Sequence, residues 1–227
     1  MSRSPWSCIL WDVDGTLVDA SEGILRRLSR TLEHFGHPEP TRAELVHWIG
    51  PPMFESFQKN VGMSPEQAAE AVVHYRAIGA AEGHTSGSRM YPGMAELVAE
   101  LAAAGIPQAT ASSKPENQVV AFMDHFGLAP YLSATAGATP DERTLASKSD
   151  IVGEALRRLE ATGADIDRPV LVGDRHHDVE GGRDHDVPVI FVRWGFSWPH
   201  ESEGAQAVVD TVDQLRALLL VDGREYE

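Results

Sequence analysis

The stretch Cys8-Ile9-Leu10-Trp11-Asp12-Val13-Asp14-Gly15-Thr16 decides the fold. Its first four residues are an apolar run of strand type, and it ends in two carboxylates one residue apart. Residues two apart on a strand point the same way. Asp12 and Asp14 are therefore expected to face one small volume, where their repulsion has to be relieved by a cation or a shared proton. Gly15 permits a sharp departure of the chain, and Thr16 sets a hydroxyl beside it.

Outward from this run, further apolar strand-like segments recur at Ser7–Asp12, Ile106–Ser112, Ser133–Ala138, Val170–Gly173 and Val189–Arg193. Helical periodicity fills the intervals at Met94–Ala104, Glu116–Phe126 and Ser149–Leu159, and Val208–Leu219 reads as a short strand and a final helix. The alternation predicts an α/β fold, a parallel sheet with helices on both faces. From Asp19 to Arg89 it breaks. Ile24–Phe35, Arg42–Trp48, Met53–Val61 and Pro65–Ala81 read as helices with no convincing strand, so an all-helical insertion is expected, returning through the hinge-like Gly83–Gly87. The expected division is a core of residues 1–18 and 90–227 and an inserted α-helical cap of residues 19–89.

Composition narrows the function. The 227 residues carry 34 acidic and 19 basic side chains, a formal charge of −15, with no basic cluster interleaved with aromatics, so nucleic acid is not an expected partner. Any phosphate chemistry has to rest on local positive charge and bound metal. The one cysteine, Cys8, lies in the apolar first strand and reads as a small buried hydrophobe, which makes the cytosol the expected, cytoplasmic location. No apolar run has the length of a membrane span, and the N-terminal stretch ends in charge rather than in a signal-peptide core.

Four short segments, each at or just beyond a predicted strand or opening a predicted helix, carry the chemistry, because open parallel sheets gather ligand groups at the carboxyl ends of their strands. They are Asp12-Val13-Asp14-Gly15-Thr16; Ala111-Ser112-Ser113-Lys114-Pro115, whose hydroxyls and free N–H groups suit a phosphate; Lys148, a cation ahead of a helix; and Gly173-Asp174-Arg175-His176-His177-Asp178.

As an ordered set these resemble the haloacid dehalogenase-like phosphohydrolase superfamily, in the branch whose Rossmann-like core carries a helical cap after the first motif. Asp19–Arg89 matches the cap, and Tyr91-Pro92-Gly93 matches the return to the core. Within it, Lys148 followed by Ser149 rather than proline, the Gly173–Asp178 pattern and Trp48-Ile49-Gly50-Pro51-Pro52 look like the phosphoglycolate phosphatase and 5′-nucleotidase-like group. The resemblance implies a phosphatase for a small phosphorylated metabolite, with Asp12 as nucleophile giving an aspartyl-phosphate. It implies Asp14 as general acid and then base, and Mg²⁺ held by Asp12, the Asp14 main-chain carbonyl and Asp174. Asp178 would support this set from behind. Ser112 or Ser113, together with Lys148, would bind the phosphoryl oxygens. A sugar phosphomutase, or a non-catalytic phospho-aspartate switch or binding module, uses the same core. A monomer or small homo-oligomer without membrane attachment is expected.

Other residues receive plainer readings. Lys114 is either a cation of the phosphate region or a surface residue. His176 and His177, being adjacent, are expected to point apart and not to form a metal site. His34 and His37 read as a solvated helix end, with a metal face as the alternative; Lys59 and Arg76 as surface charges, with cap cations that meet a carboxylate or second phosphate as the alternative; and Trp194-Gly195-Phe196 with Trp198-Pro199 as a packed loop, with lining of the substrate entrance as the alternative. Gly50-Pro51-Pro52 reads as a rigid turn between cap helices, with a loop dipping over the site as the functional alternative. Arg175 steadies Asp178 or meets substrate.

Overall fold

The apolar run Cys8–Trp11 forms strand β1, fully buried. The computed structural model describes residues 4–38, 40–46, 48–140, 145 and 147–221. After β1 come β2 (Val18–Asp19), α1 (Ser21–His34), α2 (Arg42–Val46), α3 (Met53–Val61), α4 (Pro65–Glu82) and β3 (Arg89–Met90). The chain then runs through α5 (Met94–Ala103), β4 (Gln108–Thr110), β5 (Ser112–Pro115), α6 (Glu116–His125), β6 (Gly137–Ala138) and α7 (Lys148–Ala161). It closes with β7 (Pro169–Gly173), α8 (His176–Arg183), β8 (Val189–Val192), β9 (Ala207–Val209) and α9 (Val212–Leu219).

Five strands make one parallel sheet in the order β4-β1-β7-β8-β9. Strand alternation sorts its side chains into two cores. Ile9, Trp11, Val170, Val172, Ile190 and Val192 pack with Leu97 and Leu101 of α5 and Leu215 and Leu219 of α9. Cys8, Leu10, Leu171, Val189 and Phe191 pack on the other face against Ile151, Val152, Ala155 and Leu159 of α7. The α/β class with helices on both faces is as expected, and Cys8 is the buried hydrophobe its context implied. At roughly 1.5–3 kcal/mol for each large apolar side chain buried, these two layers are what fix β1 centrally, with its carboxyl end between β4 and β7.

The insertion is helical, and its helices pack on one another as α1 against α4 and α3 against α4. Pro65 opens α4 behind a capping box, in which Ser64 Oγ accepts from the Gln67 N–H at 3.2 Å and Gln67 Oε1 accepts from the Ser64 N–H at 3.0 Å. The structure departs from expectation in its short elements. The insertion is bracketed by an antiparallel two-stranded ribbon, β2 with β3, too short for a period-2 pattern to reveal. It pairs Asp19 with Arg89 in register, and Arg89 Nη2 lies 2.6 Å from Asp19 Oδ2. The Ile106–Ser112 and Ser133–Ala138 runs are not two long strands: they meet at an Ala109–Ala134 bridge and again as β5 with β6. Lys148 is the first residue of α7 rather than preceding it, with Ser147 as its cap. The second cap helix stops at Val46, and His47 lies outside the described residues.

Candidate active site

Asp12 follows the last residue of β1, with its N–H on the Val172 carbonyl of β7 at 2.9 Å. Its Oδ1 accepts from Lys148 Nζ at 2.6 Å, and the same ammonium donates to the Ala111 carbonyl at 2.7 Å and stands 2.6 Å from Asp178 Oδ1. Asp174, just past β7, accepts the Phe196 N–H on Oδ2 at 2.6 Å. Carboxylate oxygens of Asp12, Asp174 and Asp178 lie within 4.8 Å of one another, and all three residues are buried. Asp12 after β1 and Asp174 with Asp178 after β7 thus converge because β1 and β7 are neighbours in the sheet, and Lys148 at the start of α7 joins them as α7 packs on α8.

Backbone shape makes the room. Gly15 has φ +95°, and a side chain there or at Gly195 would overlap the Asp174 carboxylate. A side chain at Gly173 would overlap Asp178, and one at Gly181 would stand 2.6 Å from Lys148 Cγ.

Burial pushes the Asp12 carboxyl up to about 7, against the pull of Lys148 and with the push of Asp178 and Asp14. Asp174 is held well above the usual carboxylate range by burial and then by Asp12 and Asp178. Burial alone would lower Lys148, but Asp12 and Asp178 outweigh it and hold its ammonium above the ordinary value. Three carboxyl groups share one ammonium, so releasing their protons would leave two uncompensated negative charges, the complement of a divalent cation. Asp174 Oδ1 is buried without a hydrogen-bond partner. The donor set is all oxygen, the preference of a hard cation such as Mg²⁺ or Ca²⁺ rather than of zinc.

Asp14 stands apart from this group. Its Oδ2 pairs with Lys114 Nζ at 2.8 Å, while Oδ1 is buried and without a partner. Lys114 is buried, its ammonium 4.6 Å from the centre of the Phe122 ring, so it belongs to the site and is not a surface residue. Asp14 and Lys114 line a cavity of about 50 Å³ roofed by Ile49, Gly50, Pro51, Pro52 and Met53. The Gly50-Pro51-Pro52 turn therefore dips over the site. Arg76 of α4, expected at the surface, is half-buried and lines the same cavity. Ser112 is buried, its Oγ accepting the Lys114 N–H at 3.3 Å; Ser113 is half-buried and lines the cavity and a neighbouring cleft.

This arrangement has counterparts. Residues 9–192 match the family model described as haloacid dehalogenase-like hydrolase. The chain belongs to the haloacid dehalogenase-like hydrolases. Among relatives, it is 35% identical over 215 residues to the tyrosine-protein kinase PtkA of Mycobacterium tuberculosis, covering 93% of this chain and 72% of that protein. It is 33% identical over 198 residues to a 5′-nucleotidase of Pseudomonas aeruginosa, covering 87% of each. A solved structure of a predicted phosphatase from Clostridium acetobutylicum superposes with a TM-score of 0.86 at 31% identity, covering 93% of this chain and 96% of that one. The chain is a phosphatase-type enzyme of this family, and no helix among the described residues is long and apolar enough to cross a membrane.

Several features of this haloacid dehalogenase-like hydrolase are not legible in its sequence. Arg175 is buried, and its guanidinium reaches the cap. The Phe196 N–H makes the Trp194-Gly195-Phe196 loop part of the site rather than simple packing. His176 and His177 do not point apart: their ring centroids are 3.8 Å apart, and with Glu180 they form a second group whose ligand atoms lie within 4.8 Å. His34, the last residue of α1, is exposed as expected of a solvated helix end, and it also stacks on His74, with centroids 4.1 Å apart. Lys59 is exposed and pairs with Glu55 one turn back, as expected of a surface charge.

Proposed function

We propose that the protein is a Mg²⁺-dependent phosphomonoester hydrolase acting through an aspartyl-phosphate on a small anionic substrate, with residues 1–18 and 90–227 as catalytic core and 19–89 as cap. The observation that carries this reading is the pairing of the two first-motif carboxylates with different lysines, which gives them different roles. Lys148 holds Oδ1 of Asp12 and leaves Oδ2 for attack on phosphorus. Lys114 holds Oδ2 of Asp14 and leaves Oδ1, at the cavity wall, to carry a proton.

In the first half-reaction Asp12 forms the new P–O bond, the ester oxygen departs, and Asp14 gives it a proton. In the second, Asp14 takes a proton from water as that water attacks phosphorus, releasing phosphate and restoring Asp12. Lys148 and the Ser112 and Ser113 hydroxyls hold the transferring oxygens in line. Asp12, the Asp14 main-chain carbonyl and Asp174 would hold Mg²⁺, which when bound neutralises charge on the carboxylates and on the phosphoryl group. Asp178 supports them from behind, since Lys148 engages one of its oxygens and the Arg175 N–H the other at 3.0 Å.

The cavity of about 50 Å³, walled by Ile24, Tyr75, Lys114 and Arg76, favours a leaving group of a few heavy atoms carrying an anionic end, as in phosphoglycolate. A 5′-nucleotide is the second reading, supported by the adjoining cleft of about 480 Å³ bordered by Pro52, Phe54, Ser113 and Lys148. Phosphate release from p-nitrophenyl phosphate and a panel of phosphorylated acids and nucleotides, with Mg²⁺ or EDTA, tests both. Turnover no higher than that of Asp12→Asn on every compound refutes the proposal, and a hexose 1-phosphate isomerised rather than hydrolysed would make the protein a mutase.

A further inference from the structure

Arg175 follows the metal-type carboxylate Asp174 in sequence, yet its side chain turns away from it and joins three segments of the chain. It is 5% exposed. Nε and Nη2 grip the two carboxylate oxygens of Glu201 at 2.7 and 3.1 Å. Nη1 donates to the main-chain carbonyl of Ile49, in the roof of the cavity that Asp14 and Lys114 line. Gly50 has φ +116°, and a Cβ there would stand 3.0 Å from Arg175 Nη1 and 3.1 Å from its Cγ, so the guanidinium lies against bare backbone at that turn. Glu201 receives His176 Nδ1 at 3.0 Å as well. It lies on the same connection after β8 as Phe196, whose N–H binds Asp174.

We infer that Arg175 is a positioning residue that seats the Ile49–Met53 roof over Asp14 and Lys114, so that closing the cavity and ordering the Asp174 loop are one event. This rests on the phosphohydrolase reading given above. A guanidinium suits this bridging role, because its donors are fixed in a planar fork, two of them matched to a carboxylate and another left for a carbonyl. Glu201 neutralises the buried charge, and the directed bond to Ile49 is lost when the roof lifts. Asp178 is held by the Arg175 main-chain N–H, not its side chain, so replacing the side chain perturbs the roof while that bond stays. Nothing in this contact touches the reacting atoms; it acts through the roof.

The test compares wild type, Arg175→Lys, Arg175→Met and Glu201→Gln by steady-state phosphate release and by amide hydrogen exchange at Trp48, Ile49, Gly50 and Met53. Arg175→Met is expected to raise KM and lower kcat, with kcat/KM down roughly 10- to 100-fold, the usual worth of a hydrogen bond to a charged group. Its roof amides should exchange faster while the Mg²⁺ concentration for half-activation stays within about twofold of wild type. Arg175→Lys, which keeps the charge but not the fork, should fall between. Unchanged exchange at the roof overturns the inference. So does a fall in kcat at constant KM with weakened Mg²⁺ activation, because the side chain would then act on the carboxylates. If Arg175→Met does not fold, Glu201→Gln decides, with faster roof exchange expected and wild-type exchange refuting. A wild type that releases no phosphate removes the hydrolase reading, whereas the exchange comparison still decides the bridge.

Discussion

Replacing Lys148 by Met is the sharpest probe of the charge arrangement. The ammonium is 5% exposed and sits 2.6 Å from oxygens of both Asp12 and Asp178, themselves 10% and 1% exposed at the side chain. Methionine fills the same length of cavity but leaves these carboxylates and Asp174 facing one another without a cation. Breaking a buried ion pair by removing one partner costs about 3–5 kcal/mol. For a chain of 227 residues, 1 kcal/mol moves the melting temperature by about 2–4 °C, so the expected fall is about 6–20 °C at a pH where the carboxylates are ionised.

The size of the fall should depend on pH in a defined direction. Burial already raises Asp12 to about 7 in the folded protein, above its ordinary value near 4. A carboxyl raised in this way favours the folded state when protonated, so its contribution is present below about pH 4 and is lost as pH rises through 7. Lys148 limits that loss; without it the proton is held to still higher pH. In EDTA the gap between wild type and Lys148→Met should therefore be small at pH 5 and widest at pH 8, and Asp12→Asn in the same chain should close part of it. Thermal denaturation at pH 5, 6.5 and 8 reads this out directly. A gap that stays within about 2 °C at pH 8, or narrows as pH rises, refutes the electrostatic account.

Three further outcomes follow from the same geometry. Gly195→Ala should lose about 1–3 kcal/mol by forcing a methyl into the Asp174 carboxylate and the Gly15 carbonyl, with melting temperature and phosphate release falling together. Lys114→Met should leave Asp14 without its ion pair and lower kcat about 10- to 100-fold, with KM for p-nitrophenyl phosphate nearly unchanged. Mg²⁺ should raise the melting temperature strongly at pH 8 and weakly at pH 5.5, since it has to displace protons from Asp12 and Asp174, and calorimetry in buffers of different ionisation enthalpy should register their release.

The parts of the site that are legible from residues alone are those fixed by a strand end. Asp12, Ser112 and Asp174 each follow a run whose apolar character places it in the sheet, so their convergence is a property of parallel topology. What escapes is decided by long-range contact. Arg175 meets a carbonyl 126 positions earlier in sequence, and backbone acceptors leave no residue-type signature. Arg76 lies on α4, where small and apolar residues run round much of the helix, so the side facing the cavity is not marked. Lys114 has two readings because a lysine beside a proline is ordinary at a helix start; only the position of Asp14 and the Phe122 ring chooses between them. The paired histidines mislead for a local reason, since the first turn of α8 lets both rings lean toward Glu180.

The proposed chemistry also bears on which acceptor takes the phosphoryl group from Asp12. In that mechanism Asp14 would deprotonate any hydroxyl that reaches the phosphorylated Asp12, so the carboxylates and lysines would not choose between water and a phenol. Access would. The cavity roofed by Ile49–Met53 admits water, and entry of a larger acceptor depends on how far that roof lifts. The choice of acceptor is therefore expected to lie in the roof and in the residues that hold it down. Loosening the roof should raise transfer to added phenols or alcohols relative to water, whereas changes among Asp12, Asp14 and Lys148 should slow both without altering their ratio.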